Sequence, residues 1–594
     1  MLRHKVSITK LSALLRPGFK WTLLFGLWAG LMSCAQKPHP SAKNISQPQQ
    51  KSDESFSNGN ASSWESLPKD PYQDLIEQKI SQLTLEEKVG QLLVIGFPGK
   101  TLSPQALRLI EQIHPGSVIL FSRNIKNYQQ LHTLTRKLQD HSQKVTHLPL
   151  LIMLDEEGGV VTRVRVGSTL PSALALAQTK NPSFIRSYSK NLGALLNRLG
   201  INMNLAPVLD VSNPNASSFI GSRSFGQSPE EVAELGTSFA LGQWDSGVIP
   251  TAKHFPGHGG LQTDSHKATP VKNLTLPELL QTDALPFHSF ARMTIPSAMM
   301  LGHVSFPKID PTGYPAAFSQ KLNQGLLRDE LNFHGLAITD DLEMAGAEKV
   351  GDISERTIQA VLAGNDMIMV AWSLNRQLQA YKTLLAAVWS GRISERRLNQ
   401  SLRRIIYAKL LMQEKTLAYQ PVEIERLRKK LITQVRDVKK LSFQSALQTK
   451  EGRSVLPQLP SSIEVYSSDR RFYENFQKSF MKASRWFPLS KSNVEDRIVR
   501  LNMKSEAEPF VFYVSGTGTA RWLDQLNPVQ KRAAIVINTN EPGAIKNPDD
   551  FLKVVQLNSS SPESGWWLAE YLNQQGTLRQ PSNSTGPLFQ PQEH

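Results

Sequence analysis

The sequence is almost without cysteine, since Cys34 is the only one among 594 residues. No disulfide can therefore form within the chain, and a disulfide-bonded scaffold is excluded. The apolar run at residues 21–32 is too short to span a bilayer comfortably, because a membrane helix needs about 20 apolar residues. What remains, with 40% hydrophobic and 20% charged residues, is the composition of a globular protein with two or three domains.

Acidic residues are also scarce, with 51 Asp and Glu against 67 Lys and Arg and a formal net charge of +16. The excess positive charge is spread out. Five basic residues lie within the first twenty positions, and a second excess at residues 426–440 has the spacing of a solvated helical face. A diffuse basic surface suits an anionic wall polymer or a membrane, and we expect no nucleic-acid partner.

The N-terminus predicts export. Basic residues precede the run at 21–32, which has the length of a signal-peptide core, and Leu-Met-Ser-Cys at 31–34 resembles the lipobox of bacterial lipoproteins. We expect a signal peptide over 1–33, a lipid on Cys34, and attachment to a bacterial membrane facing the periplasm or the cell exterior. An uncleaved signal anchor is the alternative. The polar composition of residues 34–66 predicts a disordered tether.

From residue 75 onward, short apolar runs alternate with amphipathic helical stretches. Strands that are apolar on both faces and separated by helices predict a parallel sheet. Eight such units over about 340 residues predict an α/β fold with a (β/α)₈ barrel of the TIM type, and a doubly wound open sheet is the competing topology. The eight runs are Val89–Phe97, Ser117–Ser122, Leu148–Asp155, Ile201–Val211, Val248–Phe255, Ser297–Val304, Gly335–Asp340 and Asp366–Trp372.

Polar side chains at the ends of these runs favour the barrel. The active sites of such barrels are assembled where the C-terminal ends of the strands meet, whereas an open sheet would distribute the same residues along a crevice. The residues concerned are Asp155, Lys253-His254, His303 and Asp340-Asp341.

The rest of the chain predicts a smaller second domain. A helix at Ser394–Gln413 should close the barrel domain, which we assign to residues 67–415, and a helical connection follows at 416–440. Residues 441–579 predict a smaller α/β layer domain, and 580–594 a disordered tail. The apolar runs of the second domain are Ser462–Tyr466, Phe510–Val514, Ala533–Ile537 and Val554–Leu557.

Two segments carry residues suited to binding a polar ligand. Asp-Glu-Glu-Gly-Gly at 155–159, followed by Arg163, brings acids and permissive glycines to a strand end. A salt-bridged turn is the alternative interpretation. Arg223, in a loop rich in Gly, Ser and Asn, offers a planar fork of donors to sugar oxygens or to a carboxylate, although loop arginines are commonly solvated.

The most informative segment is Lys-His-Phe-Pro-Gly-His-Gly-Gly at 253–260, with Asp264 and His266 just beyond it. Two residues apart, Asp264 and His266 could form a carboxylate–imidazole hydrogen bond, which would fix the tautomer and raise the basicity of the ring. A metal site built from the histidines of this region and His303 is the alternative. Lys253 is a cation beside those ligands, and the spacing matches no compact zinc pattern, so we expect no metal.

Asp340 and Asp341 lie directly after the seventh apolar run, in Ala-Ile-Thr-Asp-Asp-Leu-Glu-Met at 337–344. A carboxylate at the end of a barrel strand can attack an anomeric carbon or stabilise an oxocarbenium ion. Asp340 is the better candidate for pointing inward. An aspartate pair can also hold a metal, and the residues alone leave both possibilities open.

Together these segments resemble glycoside hydrolase family 3, in its β-N-acetylglucosaminidase branch. The resemblance covers residues 75–415, and its most specific part is the segment 253–260 with Asp264 and His266, which separates this branch from the family's β-glucosidases and xylosidases. It implies that Asp340 is the nucleophile, His266 the acid/base and Asp264 its partner.

The resemblance further implies which residues bind the N-acetylglucosamine ring and what the reaction is. It implies a retaining exo-β-N-acetylhexosaminidase that releases terminal N-acetylglucosamine from peptidoglycan- or chitin-derived fragments by double displacement, without a cofactor. Because a histidine acid/base does not repel an incoming anion, a phosphorylase is a variant hypothesis. A non-catalytic wall-binding lipoprotein is a further alternative. The ring-binding residues are Asp155, Arg163, Arg223, Lys253 and His254.

Overall fold

The fold is described from a computed structural model of the chain. It describes residues 72–212, 220–261, 265, 268–447, 462–480, 483–490, 493–503, 509–514, 521–538, 551, 553–556, 567–568 and 572. The expected signal peptide, Cys34, the tether, the tail, Asp264 and His266 lie outside the described residues. None of the helices within them is both long and apolar enough to cross a membrane.

In the described part of the chain, eight short strands form the central sheet. They are β1 (Leu93–Ile95), β2 (Ser117–Ile119), β3 (Leu151–Leu154), β4 (Met203–Asn204), β5 (Ile249–Phe255), β6 (Ala298–Leu301), β7 (Leu336–Thr339) and β8 (Ile368–Val370). All neighbours are parallel, in the order β7-β6-β5-β4-β3-β2-β1-β8, and a bridge between Ile338 and Met367 joins the two edge strands. Each predicted run contains one strand, and the predicted barrel is confirmed.

Helices alternate with these strands, and most begin at a Ser, Thr, Asn or Asp whose side chain accepts a backbone N–H of the first turn, as Ser394 does for the predicted closing helix. The helices are α1 (Gln73–Gln82), α2 (Leu85–Gly90), α3 (Pro104–Ile113), α4 (Tyr128–Thr146), α5 (Ala173–Ala177), α6 (Pro182–Arg198), α7 (Pro229–Asp245), α8 (Leu276–Gln281), α9 (Leu285–Ala291), a π-helix (Lys321–Glu330), α10 (Ile353–Ala363), α11 (Leu374–Trp389) and α12 (Glu395–Lys415). Short 3₁₀ turns lie at Ser122–Asn124, Gly221–Arg223, Ala316–Phe318 and Ala345–Val350.

The barrel is held together by an apolar interior and, where β8 begins, by a buried ion cluster. Asp366 is fully buried and accepts hydrogen bonds from Arg328 at 2.7 Å, Arg404 at 3.0 Å and the backbone N–H of Ala337 at 3.0 Å. This carboxylate links β7, β8, α12 and the π-helix. Removing one member of such a buried ion pair typically costs about 3–5 kcal/mol, because the other charge is left without a partner.

Among the described residues, a second sheet of five parallel strands follows the barrel, in the order β10-β9-β11-β12-β13. The predicted connection is mostly one helix, α13 (Pro421–Leu447), which packs against α6. The elements that follow it are β9 (Ser462–Ser467), α14 (Arg470–Ser479), β10 (Ala483–Pro488), α15 (Val494–Asn502), β11 (Phe510–Val514), α16 (Pro528–Lys531), β12 (Ala534–Asn538) and β13 (Lys553–Gln556). The predicted α/β domain and its four strands are confirmed. We missed β10, an edge strand whose described side chains are at best partly buried, so it presents no apolar run.

Candidate active site

Five side chains form one ionic network at the C-terminal ends of β3 and β5 and in the loop beyond β4. Four of them are predicted site residues, and the fifth is Glu157. Lys253 Nζ lies 2.8 Å from Asp155 Oδ1 and 2.6 Å from Glu157 Oε1. Arg223 makes paired hydrogen bonds to Glu157 at 2.7 and 2.9 Å. Arg163 lies 3.4 Å from the other oxygen of Asp155. The acids of this segment are therefore ion-paired, as the salt-bridged interpretation expected, and their role in binding a ligand stays a prediction.

Opposite charges keep this network ionised despite its burial. Burial would raise the pKa of Glu157, but Arg223 and Lys253 lower it well below its usual range. Burial would lower the pKa of Lys253, and the carboxylates of Asp155 and Glu157 raise it instead. Two of the three N–H groups of Lys253 are used in these ion pairs, which leaves one for an oxygen of a ligand. The network is thus a buried set of ion pairs at the C-terminal ends of the strands.

His254 is oriented by a carboxylate that our sequence analysis missed. Its Nδ1 lies 2.7 Å from Asp210 Oδ2, and Asp210 Oδ1 also accepts the backbone N–H groups of His254 at 3.2 Å and His258 at 2.6 Å. Burial would raise the pKa of Asp210, but these contacts lower it to about 2. Because the ionised acid only accepts, Nδ1 of His254 carries a proton and Nε2 is the nitrogen left to face a ligand.

The signal for Asp210 was present in the sequence. It closes Val-Leu-Asp at the end of the run Ile201–Val211, the same pattern that identified Asp155. Within the described residues, no three His, Cys, Asp or Glu side chains are grouped so as to hold a metal ion.

The neighbouring acids Asp340 and Asp341 follow β7 and differ in ionisation. Asp340 is partly exposed, and its pKa is lowered, because His254 and His303 outweigh the effect of burial. Asp341 is buried, and burial, together with the charges of Glu343 and Asp340, raises its pKa to about 7. Such a split assigns different roles to paired carboxylates. Asp340 is the ionised and accessible member.

His303, at the end of β6, positions this pair. Its Nε2 lies 3.0 Å from the backbone oxygen of Asp341, and its ring stacks on Phe318 with centroids 5.5 Å apart. Since a carbonyl can only accept, Nε2 carries the proton. Burial lowers the pKa of His303. The imidazole of His303 therefore fixes the turn that follows Asp340.

Beside the predicted residues Asp264 and His266 in sequence, the loop beyond β5 is bonded to the segment that follows Asp340. Both residues lie outside the described part of the chain, but Ser265 between them is described and is buried. The backbone oxygen of Ser265 accepts the N–H of Gly346 at 2.9 Å, and Thr269 Oγ1 donates to the oxygen of Gly346 at 2.8 Å. Gly346 lies six residues after Asp340. The contact therefore ties the loop beyond β5 to the segment that follows the proposed nucleophile.

Glu156 has a structural task that distinguishes it from its neighbours in the acidic segment. It is fully buried, its Oε2 accepts the backbone N–H groups of Arg163 at 2.9 Å and Val164 at 2.7 Å, and its own N–H donates to Asn204 at 2.9 Å. Burial is the main cause that raises its pKa to about 8. Glu156 thus holds the loop bearing Arg163 as a neutral acid.

The C-terminal end of the barrel thus gathers an ionised carboxylate and a buried network of opposite charges, at the place where barrel enzymes assemble their active sites. Residues 84–408 match the family described as glycosyl hydrolase family 3 N terminal domain. The chain therefore belongs to this family and is a glycoside hydrolase.

Relatives and a solved structure agree with this family. The chain is 38% identical to a beta-hexosaminidase of Idiomarina loihiensis over 283 residues, which are 47% of this chain and 83% of the relative. It is 38% identical to one of Thioalkalivibrio sulfidiphilus over 299 residues, 49% of this chain and 83% of that protein. The structure of a glycoside hydrolase family 3 beta-N-acetylglucosaminidase from Paenibacillus sp. aligns with a TM-score of 0.70 and 29% identity over 83% of this chain and 97% of that chain.

Replacing Glu156 by glutamine should change how stability depends on pH. The folded pKa of about 8 exceeds the usual 4.5, so the folded state holds a proton that the unfolded state releases, and stability falls as the pH rises through this window. Glutamine keeps an acceptor and removes this loss. When the pH rises from about 5 to about 8, we expect the free energy of unfolding of Glu156→Gln to increase relative to that of the wild-type protein by about 1 kcal/mol or more.

Chemical denaturation at the two pH values measures this effect, with Glu330→Gln on the surface as the control. A difference that does not vary with pH would mean that Glu156 is ionised in the folded protein.

Proposed function

We propose that the protein is a retaining exo-β-N-acetylhexosaminidase that releases terminal N-acetylglucosamine from peptidoglycan- or chitin-derived fragments. The observation that carries this proposal is the partly exposed, ionised carboxylate of Asp340 at the C-terminal end of β7, whose pKa is lowered by His254 and Lys253 among other groups. The similarity to beta-hexosaminidases supports the choice of sugar.

In the first step of the proposed reaction, Asp340 attacks the anomeric carbon while His266, as imidazolium, protonates the leaving oxygen. The attack needs an ionised carboxylate, and the lowered pKa of Asp340 supplies one at neutral pH. Lys253 and Arg223 are already held by Glu157, so they can bind ring oxygens without reorganising as charge develops.

In the second step, neutral His266 deprotonates a water molecule that hydrolyses the covalent glycosyl-enzyme. Asp264 stabilises the imidazolium that forms and fixes the tautomer of the ring. The buried Ser265 lies between these two residues in sequence, so its bond to Gly346 supports an arrangement in which the pair reaches the sugar bound at Asp340.

Replacing Asp340 by asparagine should abolish the release of p-nitrophenol from p-nitrophenyl β-N-acetylglucosaminide. We expect turnover to fall by more than about a thousandfold, because the amide cannot form the glycosyl-enzyme. Initial rates followed by absorbance measure the loss.

The matched control is Asp245→Asn, which removes a carboxylate paired with Arg186 on the protein surface. Undiminished turnover by the Asp340 variant would end the assignment. The same assay with added phosphate separates the phosphorylase hypothesis, since a hydrolase forms free N-acetylglucosamine and a phosphorylase forms its 1-phosphate, as read by mass spectrometry.

Gly346→Ala should impair acid/base catalysis without touching substrate. A Cβ at Gly346 would lie 2.7 Å from the oxygen of Ser265 and 2.9 Å from His303 Cβ, so the loop carrying Asp264 and His266 must shift. We expect turnover of the aryl glycoside to fall at least about tenfold, since displacement of a catalytic group by about 1 Å is costly. Azide, which needs no general base, should restore part of it as glycosyl azide.

The control for this experiment is Gly325→Ala, because a Cβ there meets no atom within 4 Å. Wild-type rates in the Gly346 variant would show that this contact does not position the acid/base.

We further propose that Cys34 carries a lipid that anchors the exported protein to a bacterial membrane. The proposal is supported by the position of this cysteine directly after the apolar run 21–32, and by its being the only cysteine in the sequence. Radiolabelled palmitate fed to expressing bacteria should label the wild-type protein and not Cys34→Ala, which should leave the membrane fraction. Equal labelling of both proteins, or of neither, would contradict the anchor.

A further inference from the structure

Three side chains at the mouth of the barrel have no task in the proposed reaction. Trp372 follows the C-terminal end of β8, and Phe121 and Arg123 follow the end of β2. The rings of Phe121 and Trp372 stack with centroids 4.8 Å apart and planes at 27°. The guanidinium carbon of Arg123 lies 4.0 Å from the Trp372 centroid and 4.5 Å from the Phe121 centroid. We call these three residues the aromatic platform.

Phe121 and Arg123 lie on the same side of the Trp372 indole, and the opposite face of the indole is turned away from both. The three distances are nearly equal, so Phe121 and Arg123 cannot lie on opposite faces of the indole, where they would be much farther from each other. Trp372 is 58% exposed. A large ring is thus supported from one side and remains open to solvent.

The platform is also fixed through the main chain. The N–H of Trp372 donates to Glu343 Oε2 at 2.7 Å, and Arg123 Nη2 donates to the oxygen of Ala371 at 3.1 Å. Arg123 Nε donates in addition to the oxygen of Phe97 at 3.4 Å. Because ring and backbone are both held, little conformational entropy would be lost when a ligand covers the open face.

The platform borders the turn that carries the proposed nucleophile. Glu343, which holds Trp372, lies three residues after Asp340, a span of at most about 11 Å. Burial lowers the pKa of Arg123, and the nearby carboxylate of Glu343 offsets part of this effect. The platform therefore lies on the same edge of the barrel as Asp340 and is joined to its turn through Glu343.

We propose that the aromatic platform is the aglycone subsite and that it takes the second pyranose ring of an amino-sugar disaccharide, an inference that rests on the proposed hexosaminidase function. The C–H groups on one face of a pyranose ring carry slight positive charge and stack on the negative face of an indole. Arg123 uses two of its five N–H groups in the bonds above, and the others can donate to hydroxyl or acyl oxygens of the second ring.

The test compares two donors with the same N-acetylglucosaminyl group. N,N′-diacetylchitobiose has a second ring to stack, and N-acetyl-β-glucosaminyl fluoride has none. In Trp372→Ala, we expect kcat/KM for the disaccharide to fall at least about tenfold, equivalent to about 1.4 kcal/mol, and kcat/KM for the fluoride to stay within about twofold. Trp372→Phe, which keeps an aromatic face, should recover most of the loss.

The matched control is Trp389→Ala, which removes another exposed tryptophan, at the end of α11, and should change neither value. An equal fall for both donors would mean that Trp372 only supports the turn after Asp340, and no fall for either would mean that the second ring binds elsewhere. Each result overturns the subsite. A wild-type protein inert toward both donors would overturn the proposed function itself, and the subsite with it.

Discussion

The arrangement of side chains at the barrel mouth depends on keeping Asp340 ionised. The proposed reaction needs this negative charge, and burial opposes it. His254 and Lys253 are among the groups that lower its pKa, and each is held by an acid of its own. Asp210 orients His254, and Glu157 binds Lys253. A carboxylate thus fixes each of these two groups, and the Lys253–Glu157 ion pair offsets part of the desolvation of both charges.

Two other acids at the same mouth are buried and have raised pKa values. Glu156 and Asp341 each lie beside an ionised carboxylate in sequence, yet burial raises the pKa of Glu156 to about 8 and that of Asp341 to about 7. Both accept backbone N–H groups, from Arg163 and from Glu343 respectively. In each pair of adjacent acids, one carboxylate is ionised and the other, with the raised pKa, binds backbone N–H groups. Neighbouring side chains of an extended segment point in opposite directions, which separates the two members of each pair.

Much of this arrangement could be predicted from the sequence, and the reasons for the remainder are physical. Strands buried on both faces leave continuous apolar runs, which is why the barrel was predictable and the half-exposed edge strand β10 was not. Asp155 and Lys253 were predictable as strand-end residues. Their bond to each other was not, because it depends on how distant strands align in register, and the pairing of Glu157 with Arg223 has the same origin.

Asp210 shows a different limit, since its strand-end pattern was as clear as that of Asp155 but no motif drew attention to it. Trp372 was assigned to the end of an apolar run, where its exposure could not be read from the pattern. Sequence therefore identifies which residues reach the mouth, and only coordinates indicate which of them bind each other and which remain open to a ligand.

The most direct test of the central claim is to trap the glycosyl-enzyme. A 5-fluoro derivative of N-acetylglucosaminyl fluoride slows both steps and accumulates the covalent intermediate. After digestion with trypsin, mass spectrometry should find one added sugar on the peptide 329–349, located at Asp340. An adduct on any other carboxylate, or turnover with inversion and no adduct, would contradict the account.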